Sequence, residues 1–353
     1  MKTFVRCAVL LLAVAAMCQA GLALAEDFHW VSSGSQAVAD KAPAATNDQS
    51  ACAGSCEPSC DQCGGGGVFG AGAGGCDDSP ERGIVGVFGF DSFKGISDNG
   101  GENFGAVTGL NTAMPVPGLS DYGIGWQLGL TYGVYDVDGT VNSPTAKSQQ
   151  QTFVTTGFYR KGGDDQRLSF GLVYDWMLNS NWGNHGVNPT LGQWRGQVEY
   201  ALSDINGVGV YASMRDLGSL QWCPRQHLVT DRAISQVNLF WHHKFESAAD
   251  SWLWVGLPER ERLSGHGSLG DWIIGANIQV PISERLALYG NAQYMHPSAA
   301  AGATASVESD WNVGAGVVWY FGGHAISHSL NGKCWLPYMP VANNSTFLVD
   351  ENY

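Results

Sequence analysis

Residues 310–321 read Asp310-Trp-Asn-Val-Gly-Ala-Gly-Val-Val-Trp-Tyr-Phe321. The odd positions are Trp311, Val313, Ala315, Val317, Trp319 and Phe321. The even positions are Asp310, Asn312, Gly314, Gly316, Val318 and Tyr320. A strand sends successive side chains to opposite faces, whereas a helix would scatter these residues round its circumference. The stretch therefore reads as a strand with one wholly apolar face, aromatic at both ends. Its other face is mostly polar or glycine.

The same alternation runs outward through the chain. In 167–179, Leu168, Phe170, Leu172, Tyr174, Trp176 and Leu178 oppose Arg167, Ser169, Gly171, Asp175 and Asn179. Residues 123–134 set Ile124, Trp126, Leu128, Leu130, Tyr132 and Val134 against Gly123, Gly125, Gln127, Gly129, Thr131 and Gly133. In 271–282, Trp272, Ile274, Ala276, Ile278, Val280 and Ile282 oppose a face that includes Asp271, Asn277 and Gln279. Twelve such segments are expected: 84–93, 103–113, 122–137, 150–161, 166–179, 189–203, 207–216, 233–246, 251–257, 270–281, 286–296 and 309–321. The fourth has an ambiguous pattern and the ninth is the shortest.

The connections between them alternate in length. Those after odd-numbered strands are long, and those after the fourth, sixth, eighth and tenth are short. The connection after the second is intermediate and holds Pro115 and Pro117. Antiparallel strands with short turns on one side and long loops on the other are the pattern of a bacterial transmembrane barrel. In hydrocarbon every backbone N–H and C=O must be paired internally, so a sheet spans only if it closes. Strands of about 9–11 tilted residues suffice to cross.

Composition narrows the alternatives. Of 353 residues, 48 are Gly, 39 are aromatic and 14 % are charged, against about 25 % charged in an ordinary soluble domain. Mean hydropathy is −0.08, and several runs of about 20 apolar residues, which helical membrane proteins need, are missing. The aromatic content argues against disorder, and so much glycine argues against a helix bundle. A soluble sandwich or propeller also alternates its faces, but its outer face would carry many Lys, Glu and Asp. Here that face is Gly, Gln, Asn, Ser and Thr with scattered Arg. We therefore expect an all-β, closed, antiparallel up-and-down transmembrane β-barrel of about 12 strands, spanning residues 81–321.

The ends of the chain read differently. Lys2 and Arg6, the apolar run Val9 to Ala16, and Ala23-Leu24-Ala25 form a secretory signal over residues 1–25, with an uncleaved anchor as the alternative. Its removal shifts the net charge from −14 to −16, because Lys2 and Arg6 are lost and no acid is. Such a surface repels nucleic acid. Residues 26–80 form a Cys/Gly-rich arm or linker, placed in the periplasm by an even strand count. Residues 322–353 read as an irregular tail, also on that side. Cys52, Cys56, Cys60, Cys63, Cys76, Cys223 and Cys334 remain after cleavage. In an exported protein they favour disulfides. Zinc binding or a redox pair at Cys60–Cys63 fits less well, since neither a second Cys-x2-Cys nor a βαβ pattern accompanies it.

Asp310 to Phe321 resembles the closing strand of bacterial outer-membrane β-barrels, which ends in an aromatic residue. The chain looks like a member of a family of exported, porin-like barrels with a Cys-rich N-terminal arm. It carries the opening Phe88-Gly-Phe-Asp-Ser-Phe-Lys-Gly95 and the tail Leu336-Pro-Tyr-Met-Pro-Val-Ala342. The resemblance implies an outer-membrane location, a lipid bilayer environment and recognition by the barrel-insertion machinery, without a catalytic assignment. It departs in one respect: 32 residues follow Phe321, where the terminal aromatic usually closes the chain.

If the apolar faces meet lipid, the other faces line a lumen. Candidate lining residues are Gln127, Arg167, Asp175, Gln193, Arg195, Gln197, Glu199, Arg215, Asn238, Asn277, Gln279, Asp310 and Asn312. They suit either a filtered aqueous path for small polar solutes or a polar interior filled by its own hydrogen bonds. Catalysis is not expected: His242 and His243 face opposite sides of one strand, and Ser264-Gly-His266-Gly-Ser268 lies in a loop. No G-x-S-x-G, H-E-x-x-H, P-loop or dinucleotide fingerprint occurs, and no metal or cofactor is implied. The expected function is a passive, porin-like channel. A structural or surface-binding barrel with a filled lumen is the alternative.

Overall fold

The computed structural model describes residues 83–96, 102–136, 148–162, 166–183, 185–223, 226–263, 268–298, 309–321, 323–327, 330 and 335–352. Its strands are β1 (Gly83–Lys94), β2 (Asn103–Pro115), β3 (Ile124–Tyr135), β4 (Gln149–Arg160) and β5 (Leu168–Ser180). They continue as β6 (Thr190–Ala201), β7 (Asn206–Leu217), β8 (Ser219–Trp222), β9 (Leu228–Ala233) and β10 (Gln236–Lys244). The last five are β11 (Asp250–Pro258), β12 (Trp272–Pro281), β13 (Leu286–His296), β14 (Asp310–Tyr320) and β15 (Val349–Asn352).

Twelve of these close a barrel, in the order β1-β14-β13-β12-β11-β10-β7-β6-β5-β4-β3-β2. Every neighbouring pair is antiparallel, and β1 seals against β14 over ten residue pairs, from Val85–Tyr320 to Lys94–Trp311. The twelve correspond to the twelve alternating segments, with ends shifted by at most three residues. Closure leaves no sheet edge, so the wall is self-satisfied in hydrocarbon.

The faces sort as the alternation demands. Leu110, Leu130, Leu172, Val198, Val210, Leu239, Val255 and Leu288 are all exposed round the outside. In a soluble protein so large an exposed apolar surface would be a liability; on a closed barrel it is the lipid-facing belt. Tyr174, Trp176 and Trp194 pack edge to face and tilted at 4.5–4.9 Å within it, and Trp319 stacks on Phe321 at 5.6 Å. Amphipathic rings of this kind suit a membrane–water interface.

Two stretches differ from the sequence reading. The long connection after β7 is not a plain loop: it holds the hairpin β8–β9, which pairs with β15 as a second, three-stranded sheet. Among the described residues the tail has no regular structure before β15, but it lies within the barrel and not beside its short-turn end. Trp335 and Leu336 pack beside Gly83 at the short-turn end, and Leu348 accepts a hydrogen bond from Ile234 N at the long-connection end, 2.8 Å away. Residues 335–348 therefore run the length of the barrel inside it, within the reach of about 3.3–3.6 Å per extended residue. Strand β15 then ends at the long-connection mouth, opposite to the side that strand parity alone implies.

Candidate functional site

Glycine on the inner wall makes room for the tail. A Cβ at Gly171 would lie 2.8 Å from Met339 Sδ and 2.9 Å from Tyr338 Cδ1. One at Gly129 would collide with Val341 and with Asn111. The residues that alternate with these glycines then grip the tail backbone. Gln127 bonds Met339 twice: its Nε2 donates to Met339 O at 2.6 Å, and its Oε1 accepts from Met339 N at 3.0 Å. Asn111 Nδ2 donates to the same carbonyl at 3.0 Å.

Further along, Gln197 Nε2 donates to the Tyr338 hydroxyl at 3.0 Å, and Arg195 Nη2 to Pro340 O at 2.7 Å. Thr155 Oγ1 accepts from Ala342 N at 2.9 Å, and Gln193 Nε2 donates to Thr346 O at 3.0 Å. The Asn344 amide donates to Asp91, Tyr135 and Gln151 at 2.8–3.1 Å. A chain without regular structure inside a barrel must find partners for its polar backbone, and the wall supplies them from β1 to β6.

The charges pair across strands rather than along them. Arg195 lies four residues from Glu199 on β6, yet its Nε sits 2.8 Å from Asp175 on β5. Asp175 also accepts from Thr155 at 2.6 Å. Glu199 instead meets His242 Nδ1 at 2.5 Å, and His242 Nε2 meets Asp250 at 2.5 Å. Lys244 Nζ completes the chain on Asp250 at 2.7 Å. Trp252 stacks on the His242 ring at 4.2 Å. Two acids thus face two basic side chains, all of them buried, which is the arrangement in which buried charge is tolerated.

The other side of the lumen adds an apolar cluster to its polar groups. Tyr211, Phe240, Trp252, Trp254, Ile273 and Met295 pack there with Leu348 of the tail. Between tail and wall remains a cavity of about 60 Å³ beside Asp91, Asn111, Asn277, Asn291 and Asn343. That is space for a few waters.

Of the candidate lining residues, Gln127, Asp175, Gln193, Arg195, Gln197, Glu199, Asn238, Asn277, Gln279, Asp310 and Asn312 are buried inside the wall. Asn312 Nδ2 donates to Asp91 at 2.5 Å, Asn238 Nδ2 to Gln236 at 3.0 Å, and Gln279 to the Tyr320 hydroxyl. Two stand elsewhere. Arg167 precedes β5 at the short-turn rim, exposed, and donates to Leu202 O at 3.2 Å. Arg215 lies near the end of β7 and pairs with Glu259 and Glu261 at the long-connection mouth. Strand parity assigns both to the inner face because it continues past the point where the wall stops enclosing a lumen.

Sequence reasoning missed Asp91, Thr155, Gln151, His242, Lys244 and Asp250. The alternation of β1 places Asp91 inward beside Val87 and Gly89, and this signal was available. For β4, Phe153 and Tyr159 point inward beside Gln149, Gln151 and Thr155, which is why its pattern was ambiguous. Of the cysteines, Cys223 is buried and unpaired. Cys52, Cys56, Cys60, Cys63, Cys76 and Cys334 lie outside the described residues. Among the described residues no group of three His, Cys, Asp or Glu is placed to hold a metal ion.

Solved structures similar to this chain include the NanC porin, at 11 % identity, covering 67 % of this chain and 98 % of that one, with a TM-score of 0.42. The KdgM porin in complex with disordered oligogalacturonate has 8 % identity, covers 67 % and 99 %, and has a TM-score of 0.38. A Salmonella typhi outer membrane phospholipase dimer with bound calcium has 9 % identity, covers 67 % and 90 %, and has a TM-score of 0.39. These are likenesses of fold alone, shared by channels and an enzyme. No curated protein sequence matches the chain. A family model does match, over residues 83–349, from the first barrel strand to the first residue of the tail strand. The chain belongs to the Family of unknown function (DUF6666).

Proposed function

We propose that this protein is an outer-membrane barrel that carries its own plug, and that with the tail seated it is a structural, surface-presenting wall rather than an open channel. The observation that supports this reading is the reciprocal pair between Gln127 and the Met339 backbone, near the start of a ladder that runs from Tyr338 to Thr346. Porin-like passage of small polar solutes belongs to the same barrel only when the tail withdraws. The polar wall it would uncover favours that as the second reading. Catalysis forms no part of the proposal: His242 is enclosed by Glu199, Asp250 and Trp252, with no exposed face for a substrate. Export through a cleaved signal and insertion from the periplasm complete it.

Planar-bilayer recording of the refolded chain, intact and lacking residues 335–352, tests the reading. The intact chain should show no steady conductance and the shortened one discrete open steps. Steady open steps of equal size from both would contradict it.

A further inference from the structure

At the long-connection mouth, Asp231 of β9 stands across from Glu351 of β15 on one side and Ser219 of β8 on the other. It is fully buried, and neither carboxylate oxygen has a hydrogen-bond partner. Val229, Ala233 and Val349, from the same two strands, pack with Cys223, Leu191 and Trp182 in an apolar cluster. Strand β15 brings two acids to this sheet, Asp350 and Glu351. Strand β9 brings Arg232, β7 brings Arg215, residues 259–262 bring Glu259, Glu261 and Arg262, and the β5–β6 connection brings His185. Strand β8 brings no ionisable group.

Three of these basic groups are engaged elsewhere, and the fourth, Arg262, exerts its charge on Asp350. Arg232 Nη2 sits 3.2 Å from Asp350, Arg215 pairs with Glu259 and Glu261, and His185 Nε2 lies 3.5 Å from Glu351. A carboxyl without a partner is tolerated in such a place when neutral and resisted when charged. Burial, with Asp350 adding repulsion, pushes the Asp231 carboxyl up to about 7, and burial raises Asp350 as well.

We propose that Asp231 is a proton-operated latch on the plug: neutral, it lets β15 close against β9, and ionised, it loosens that pair and frees the outer end of the tail. The inference rests on the plugged-barrel reading and adds its control. The sign follows from linkage. In the open latch Asp231 titrates near the ordinary value of about 4, below its closed-state value. The closed pair is therefore tightest below about pH 4 and weakens as pH rises toward 7. It then levels off, since both states are ionised.

Hydrogen exchange on the full-length refolded chain, corrected for intrinsic rates, is the test. Between pH 4.5 and 7.5, protection of 347–352 should fall at least tenfold, while 338–346 stays protected. Asp231→Asn should hold 347–352 at the acidic level throughout, with folding checked by heat-modifiable migration. A wild-type profile flat with pH overturns the latch whether or not the variant folds, as does a folded Asp231→Asn that keeps the wild-type slope. A segment 338–346 that is unprotected at every pH contradicts the plug reading instead.

Discussion

Gly171 and Gly129 show what single residues contribute. Each lies on the inner face where β-strand chemistry would prefer a side chain, and each is met by the tail. Gly171→Leu should push Met339 and Tyr338 off the wall. The cost is about 1–3 kcal/mol, the usual range for overpacking, and it should fall on the tail while leaving the wall closed. Proteolysis of the tail with retained heat-modifiable migration is the expected pair of results. Gln127→Ala removes both bonds to Met339 and leaves its buried N–H without a partner, while Asn111 still serves its carbonyl. A loss of about 1–3 kcal/mol should appear as a lower unfolding midpoint. The glycine-rich inner face was legible in the sequence, but its occupant was not. Nothing local to Gly129 points to a residue more than two hundred positions away.

At the level of elements, the strands and their order were legible because alternation and loop length are local properties. Leu172 on β5 is exposed at mid-strand, so Leu172→Arg should impair membrane insertion by about 2–4 kcal/mol, read as a shift in a folding titration into bilayers. Read from sequence as a lumen-lining position, Gln197→Arg should leave insertion nearly unchanged and shift ion selectivity. The structure changes that expectation: Gln197 is buried against the Tyr338 hydroxyl. The Arg variant should still insert and should lose exchange protection along the tail. Strands β8, β9 and β15 escaped sequence reading for a related reason. They are 4–6 residues long, and their pairing is dictated by the barrel mouth rather than by any alternation of their own.

For the whole molecule, the low charge and near-zero hydropathy gain a fuller explanation. A lipid-facing set and a weakly polar inner set average out along each strand, and the inner set binds a backbone rather than water. The tail makes a further crossing through the lumen, so an epitope placed after β15 should be reached by antibody on intact cells. One placed in the short turn 202–205 should not. The central claim is that the tail occupies the lumen. The most direct test puts a photo-crosslinking benzophenone side chain in place of Tyr338 in the membrane-inserted protein and maps the adducts by mass spectrometry. Intramolecular cross-links to the inner wall between β4 and β6 are the expected result. Adducts confined to lipid or to other chains, with that wall unlabelled, would contradict it.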